Sequence, residues 1–241
     1  MVQFDPKNDS LSNEDASRRK FLQTAVGRSA VAGLVTAAGM EFAGPSSALA
    51  QSTLTPEMAL KELLEGNKRF VAGCLTSFGL DLAILRHHTS EKQQPFAAVL
   101  SCADSRVPVE LIFDQTIGHI FVTRNAGNIT TSEIIASLEY GAAVLGTKVV
   151  VVMGHSSCGA VDATLQGKEV PGQISALYPH IQPAVDVAGP DLEETVKANA
   201  KIQATLLREA STVISALVKE YKLLVLAAFY NISSGVVSLL E

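Results

Sequence analysis

The chain has 241 residues, 47% of them hydrophobic and 18% charged, enough to bury one substantial core in one domain or at most two. A formal net charge of -5 excludes the basic footprint of a nucleic-acid-binding protein. Three cysteines are too few for a disulfide framework, and beyond the N-terminal segment no stretch approaches the roughly 20 apolar residues of a membrane-spanning helix.

Residues 1–16 are polar and lack apolar periodicity; Ser17-Arg18-Arg19-Lys20-Phe21-Leu22 follows, then a run rich in Ala, Gly and Val from Ala25 to Ala43. The segment closes on Ala48-Leu49-Ala50, a small-x-small cleavage pattern. Paired arginines, a modest apolar run and that site resemble a twin-arginine export signal. The resemblance implies that residues 1–50 are a leader and that the protein works in the periplasm or an equivalent compartment. Arg28 and Glu41 interrupt the apolar run and argue against a permanent anchor, and with no long apolar stretch beyond it no stable membrane span is expected in residues 51–241. An amphipathic helix packed on the domain is the alternative.

Within 51–241, Thr55-Pro56-Glu57 has the chemistry of a helix start, with Thr as N-cap, Pro at the first helical position and an acid in the first turn. Met58, Leu60, Leu63, Leu64 and Phe70 are expected to give that helix one buried face up to Gly73. A linker and a short helix near Leu80–His88 lead to a first strand over Phe96–Leu100. Ile120–Thr123 reads as a second strand, and Thr131 or Ser132 caps a helix reaching about Leu145. Val149–Met153 is a third strand, and Leu192–Tyr221 is a long, mixed helical segment. Leu223–Tyr230 and Val236–Leu240 pair as a hairpin turning at Asn231–Gly235. Strands alternating with helices predict an α/β fold: a mostly parallel central sheet, flanked by helices, with an antiparallel edge strand.

Two runs carry chemistry: Cys102-Ala103-Asp104-Ser105-Arg106 and His155-Ser156-Ser157-Cys158-Gly159. Each follows an apolar strand, and in open α/β sheets ligands collect beyond the carboxyl ends of strands. Two thiolates and an imidazole suit a tetrahedral zinc ion with an open fourth position. Asp104 can fill that position, or Arg106 can hold it away in a bidentate pair. A buried cysteine and a core histidine that never meet is the bland alternative. Gly154-His155-Ser156-Ser157-Cys158 also nearly matches the strand–turn–helix elbow of a serine hydrolase, but Cys158 stands where the turn needs a second glycine. Cys74 reads as a structural or surface thiol, and His87, His88, His119 and His180 as solvated side chains.

Cys102-Ala103-Asp104-Ser105-Arg106-Val107-Pro108, Arg124-Asn125-Ala126-Gly127-Asn128 and Gly154-His155-Ser156-Ser157-Cys158-Gly159 resemble, in order and spacing, the signature runs of β-class carbonic anhydrases. The resemblance spans about residues 55–241 and includes the C-terminal Tyr230-Asn231-Ile232-Ser233-Ser234-Gly235. It implies one Zn2+ per subunit held by Cys102, His155 and Cys158, an Asp104–Arg106 dyad, and hydration of carbon dioxide to bicarbonate by zinc-bound hydroxide. It implies a homodimer or larger homo-oligomer with sites at the dimer interface, and Gln93, Phe121 and Tyr140 as residues of the substrate pocket. One family subset closes its site around bicarbonate held beside a Trp three residues before the first Cys. Here that position is Val99 and the chain has no Trp, which predicts an open resting site and a structural role for Arg124. The rivals are hydrolysis of carbonyl sulfide or carbon disulfide at the same site, and a zinc-stabilised scaffold, for which the Asp104–Arg106 pair would have no use.

Overall fold

Val, Ala and Leu crowd three short stretches of this chain that face helices on both sides, and they become the centre of a five-stranded sheet. The computed structural model describes residues 52–77, 90 and 92–241; the leader and the helix expected near 80–88, with His87 and His88, lie outside them. In chain order the elements are α1 (Pro56–Val71), β1 (Ala97–Cys102), α2 (Val109–Ile112), β2 (Ile120–Asn125), α3 (Ser132–Glu139), β3 (Val149–His155), α4 (Gly159–Leu165), α5 (Tyr178–Ala188), α6 (Leu192–Ala210), α7 (Thr212–Lys219), β4 (Leu224–Tyr230) and β5 (Val237–Leu240). The sheet order is β2-β1-β3-β4-β5. The first four strands are parallel, and β5 runs antiparallel at the edge.

Successive strand residues feed opposite cores, as pleating requires. Ala97 and Val99, with Val149, Val151 and Met153, pack under α1 and α2. Ala98 and Leu100, with Val150 and Val152, pack under α3, α6 and α7. Burial on both faces explains why β1 and β3 read as unbroken apolar runs rather than alternating ones.

Several boundaries differ from the sequence expectation. β1, β2 and β3 each extend to the first residues of the motifs, so that Cys102, Asn125 and His155 end their strands rather than follow them. The long helical segment expected over Leu192–Tyr221 consists of two helices that meet at Ser211, whose hydroxyl caps α7 by accepting the Ile214 N–H at 3.0 Å. α3 loosens into a π-helical turn over Tyr140–Val144. Helices α2 and α4, which follow the two motif runs, and α5 were not anticipated from the sequence. The face of α1 is corrected in part: Thr55 caps it, Leu63 is buried and Leu60 and Phe70 pack on the core, but Met58 is exposed, and Ala59, Gly66 and Asn67 share the buried face. Small residues win that face because the helix lies close against α2. A Cβ at Gly66 would fall 1.8 Å from the Phe113 carbonyl oxygen. Asn67 then satisfies three backbone groups, donating to the carbonyls of Ile112 and Gly235 and accepting from the Val237 N–H.

Candidate metal centre

The chain runs outward from β1 in both directions, to β2 on one side and to β3 and β4 on the other. At such a switch point the connections leave a crevice beyond the strand ends, where open α/β sheets bind their ligands. β1 and β3 flank that crevice, and Ser101, one residue before Cys102, pairs with Met153, two residues before His155. Cys102 and His155 are the two tips, and Cys158 stands at the start of α4 three residues on.

The three ligand atoms lie within 4.8 Å of one another, and all three residues are buried. The two sulfurs are 4.0 Å apart, against about 3.8 Å for two thiolates on a tetrahedral zinc with Zn–S bonds of about 2.3 Å. His155 settles the remaining donor. Its Nδ1 lies 3.0 Å from the Ser156 carbonyl oxygen. A carbonyl only accepts, so Nδ1 carries the proton and Nε2 the lone pair. That Nε2 is buried and has no hydrogen-bond partner, an arrangement costly in a core unless a cation takes the lone pair. The thiols agree. A hydrogen bond from Cys158 holds the Cys102 thiol well below its ordinary range, and the same bond with burial pushes Cys158 far above it. Left alone the pair shares one proton; a divalent cation is what makes both thiolates affordable in a dry pocket of Ile129, Val161, Ile181, Val196 and Phe229. The residues fit zinc.

Asp104 sits beside this cluster, its Oδ2 3.9 Å from His155 Nε2. Arg106 grips both carboxylate oxygens, with Nε 2.9 Å from Oδ1 and Nη2 2.7 Å from Oδ2, and its backbone N–H adds a third bond to Oδ1 at 2.9 Å. The guanidinium holds the carboxyl well below the usual carboxylate range. Arg106 Nη2 also donates to the Ser157 carbonyl at 3.2 Å, which joins the two motif loops. Ser157 takes the left-handed φ of 54° that this turn demands.

Arg124 points its guanidinium at the loop carbonyls of Cys102 and Asp104, a clamp on the backbone that presents both side chains. Ser156 spends its hydroxyl on the Ile232 N–H at 3.0 Å and its own N–H on the Tyr230 carbonyl at 2.9 Å, so it is a tether and not the nucleophile of a hydrolase elbow. Two contributions came from residues that sequence reasoning did not single out. Gly127 donates its N–H to Cys102 Sγ at 3.4 Å, and Asn199 of α6 donates to the Gly127 carbonyl at 2.9 Å. The signal for them was present: Thr195, Asn199 and Gln203, four apart, place polar side chains on the buried face of α6.

Gln93, Phe121 and Tyr140 are not brought to this cluster within one chain. Phe121 pairs with Ala98, four residues before Cys102, which places it about 13 Å down the sheet at about 3.3 Å per residue. It meets Tyr140 there with ring centroids 6.3 Å apart, and Tyr140 is 46% exposed. Gln93 is exposed and precedes β1, at the opposite end of the strand from Cys102. His119 is exposed, as expected, with its ring edge-on to Phe96, and Cys74 is exposed as well.

An open α/β sheet with a Cys2His donor set at its switch point and a clamped carboxylate beside it defines a metalloenzyme. Residues 97–237 match the family described as carbonic anhydrase. Carbonic anhydrase 2 of Mycobacterium tuberculosis is 34% identical over 188 residues, covering 75% of this chain and 90% of that protein. Among solved structures, the β-carbonic anhydrase CafA of Aspergillus fumigatus is 25% identical with a TM-score of 0.61, covering 76% of this chain and 90% of that one. The tetrameric β-carbonic anhydrases of Sordaria macrospora share the fold, with a TM-score of 0.58 at 24% identity over 66% of this chain and 90% of theirs. The chain belongs to the β-class carbonic anhydrase family.

Proposed function

We propose that this protein hydrates carbon dioxide reversibly to bicarbonate and a proton, as a zinc-dependent carbonate dehydratase. The observation that carries this reading is the buried lone pair of His155 facing two thiols, beside a carboxylate already locked to a guanidinium. Cys102, His155 and Cys158 would hold the ion. Zinc, when bound, supplies a Lewis acid that makes water a source of hydroxide near neutral pH.

Asp104 and Arg106 do the positioning. Because Arg106 keeps its carboxyl ionised, Asp104 accepts hydrogen bonds from water in the crevice and orients the lone pairs toward carbon dioxide. It is too weak a base to store the released proton, which passes to buffer. Arg106, bonded to both oxygens, also restrains Asp104 from taking a fourth position at the metal, so the resting site is open.

In a homodimer the face bearing Phe121 and Tyr140 would cover the crevice of the other subunit, with Gln93 completing the pocket. Two facts support this: these residues lie too far down the sheet to serve their own cluster, and β2 is an edge strand. Residues 1–50 would act as an export leader and 51–241 as the catalytic domain, on the strength of Arg18-Arg19, the apolar run and Ala48-Leu49-Ala50. Among the described residues no helix is long and apolar enough to cross a membrane.

Stopped-flow carbon dioxide hydration, with zinc determined on the same purified sample, tests the activity. One zinc per subunit and rapid hydration near neutral pH are expected; a zinc-loaded protein inert at every pH would overturn the reading. N-terminal sequencing of the protein recovered from the periplasm tests the leader, with Gln51 as the expected first residue.

A further inference from the structure

The buried face of α6 is apolar except for one stripe. Thr195, Asn199 and Gln203 recur every four residues, which places them one above another on the helix, and they are 0%, 0% and 1% exposed. Burying carboxamides costs stability unless every polar atom finds a partner. Thr195 satisfies itself locally, on the carbonyls of Gly189 and Asp191. Asn199 and Gln203 reach across to another element, the tight turn that follows β2.

Gln203 accepts the Thr130 N–H at 2.7 Å and donates to the His180 carbonyl at 2.9 Å. Its backbone carbonyl takes the Thr130 hydroxyl at 3.1 Å. The same amide nitrogen lies 3.3 Å from Asn199 Oδ1, which fixes which end of Asn199 is the acceptor. Asn199 therefore presents Nδ2, and Nδ2 donates to the Gly127 carbonyl at 2.9 Å. Gly127 is held at φ 78° and ψ 14°, a conformation glycine adopts without a steric penalty. A Cβ there would meet Ile181 Cδ1 at 2.8 Å. So restrained, Gly127 aims its N–H at Cys102 Sγ, 3.4 Å away.

We propose that Asn199 is a positioning residue of the metal centre, holding through Gly127 an N–H···S bond on the Cys102 thiolate. The inference rests on the reading of Cys102, His155 and Cys158 as zinc ligands. A hydrogen bond to a ligating sulfur draws charge off it, so the thiolate donates less to the ion and the ion stays a stronger Lewis acid. Outer partners of this kind commonly set metal affinity and activity by 10–100-fold. A two-thiolate site, more electron-rich than one built from imidazoles, has the most to gain from such a bond.

The test replaces the metal of the full-length protein with cobalt and records the thiolate-to-cobalt charge-transfer band in wild type and in Asn199→Asp, which keeps the shape of the side chain and removes its donor. The band is expected to move to lower energy in the variant as the sulfur regains charge, and zinc affinity to fall by about tenfold because the ligand is no longer held in place. A folded variant with an unmoved band and unchanged affinity overturns the proposal, because loss of packing alone shifts the melting temperature and not the sulfur's electron density. Should the variant not fold, cadmium-113 in the wild-type protein gives the answer directly. Scalar coupling between the Gly127 amide proton and the metal is expected, and its absence overturns the proposal. A wild-type protein with no cobalt–thiolate band at all would refute the metal-centre reading itself, a different outcome from either of these.

Discussion

Asp104 could in principle ligate the metal, store a proton or orient water, and its surroundings favour the third, the role proposed for it above. Three hydrogen bonds from Arg106 and a carboxyl held low leave an acceptor that stays ionised through the neutral range. Arg106→Ala should therefore do more than remove a charge: it frees the carboxylate to turn toward the cluster and fill the open position. The expected outcome is a protein that keeps its zinc by elemental analysis and loses at least about tenfold to a hundredfold in kcat/KM for hydration. Unchanged turnover would remove the dyad from the mechanism. These residues were legible in the sequence because their chemistry is local: Cys102, Asp104 and Arg106 lie on one strand end, and His155 and Cys158 on one turn. Gly127, Asn199 and Ser156 were not, since what they do depends on which element faces them.

Elements in this fold are joined by buried polar groups as much as by apolar contact. Asp114 closes α2 in the left-handed region, at φ 45°. Its carboxylate collects the Arg69 guanidinium together with the N–H and hydroxyl groups of Thr76 and Ser77. The carboxylate is wholly buried. Burial acts to raise its pKa, but Ser77, Arg69 and Thr76 outweigh that and hold the carboxyl below its usual range. Its folded pKa is thus depressed relative to about 3.9 in the unfolded chain. The stabilisation it gives is fully present above that unfolded value and is lost as pH falls through the folded one. Asp114→Asn is expected to cost about 3 kcal/mol at neutral pH, as the loss of a buried ionic partner does, and to flatten the acid limb of the stability profile. Urea unfolding of both proteins across the acid range measures this. The strand elements were readable from their apolar runs, whereas the face of α1 was readable only in part: Leu60, Leu63 and Phe70 reach the core, but the close approach to α2 was decided by Gly66 and Asn67, which hydrophobic periodicity ignores.

For the whole molecule, two cores on opposite faces of the sheet form without any contribution from the metal ligands. The ion is therefore expected to add to stability rather than to create the fold. Chelation should leave the far-ultraviolet circular dichroism intact and lower the melting temperature by roughly 5–10 °C, from about 2.7 kcal/mol at a free zinc concentration 100 times Kd and about 2–4 °C per kcal/mol for a domain of this size. Collapse of secondary structure on chelation would show instead that zinc is a folding staple. The parallel order of the sheet was foreseen from alternating strands and helices. Which strands would be neighbours was not, since β3 and β4 pair across an insertion containing four helices.

That long-range pairing has a consequence for how the protein is made. Chains emerge from the ribosome N-terminus first, and domains fold as their parts become available. Cys102, His155 and Cys158 all appear early, but the turn that carries His155 is tied down by Tyr230 and by Ile232, which lies 76 residues beyond Ser156. A nascent chain that has not yet reached Tyr230 has both thiols and the imidazole in hand, yet lacks the backbone that holds them in register. The metal site becomes complete only once β4 and the turn that follows it have been made.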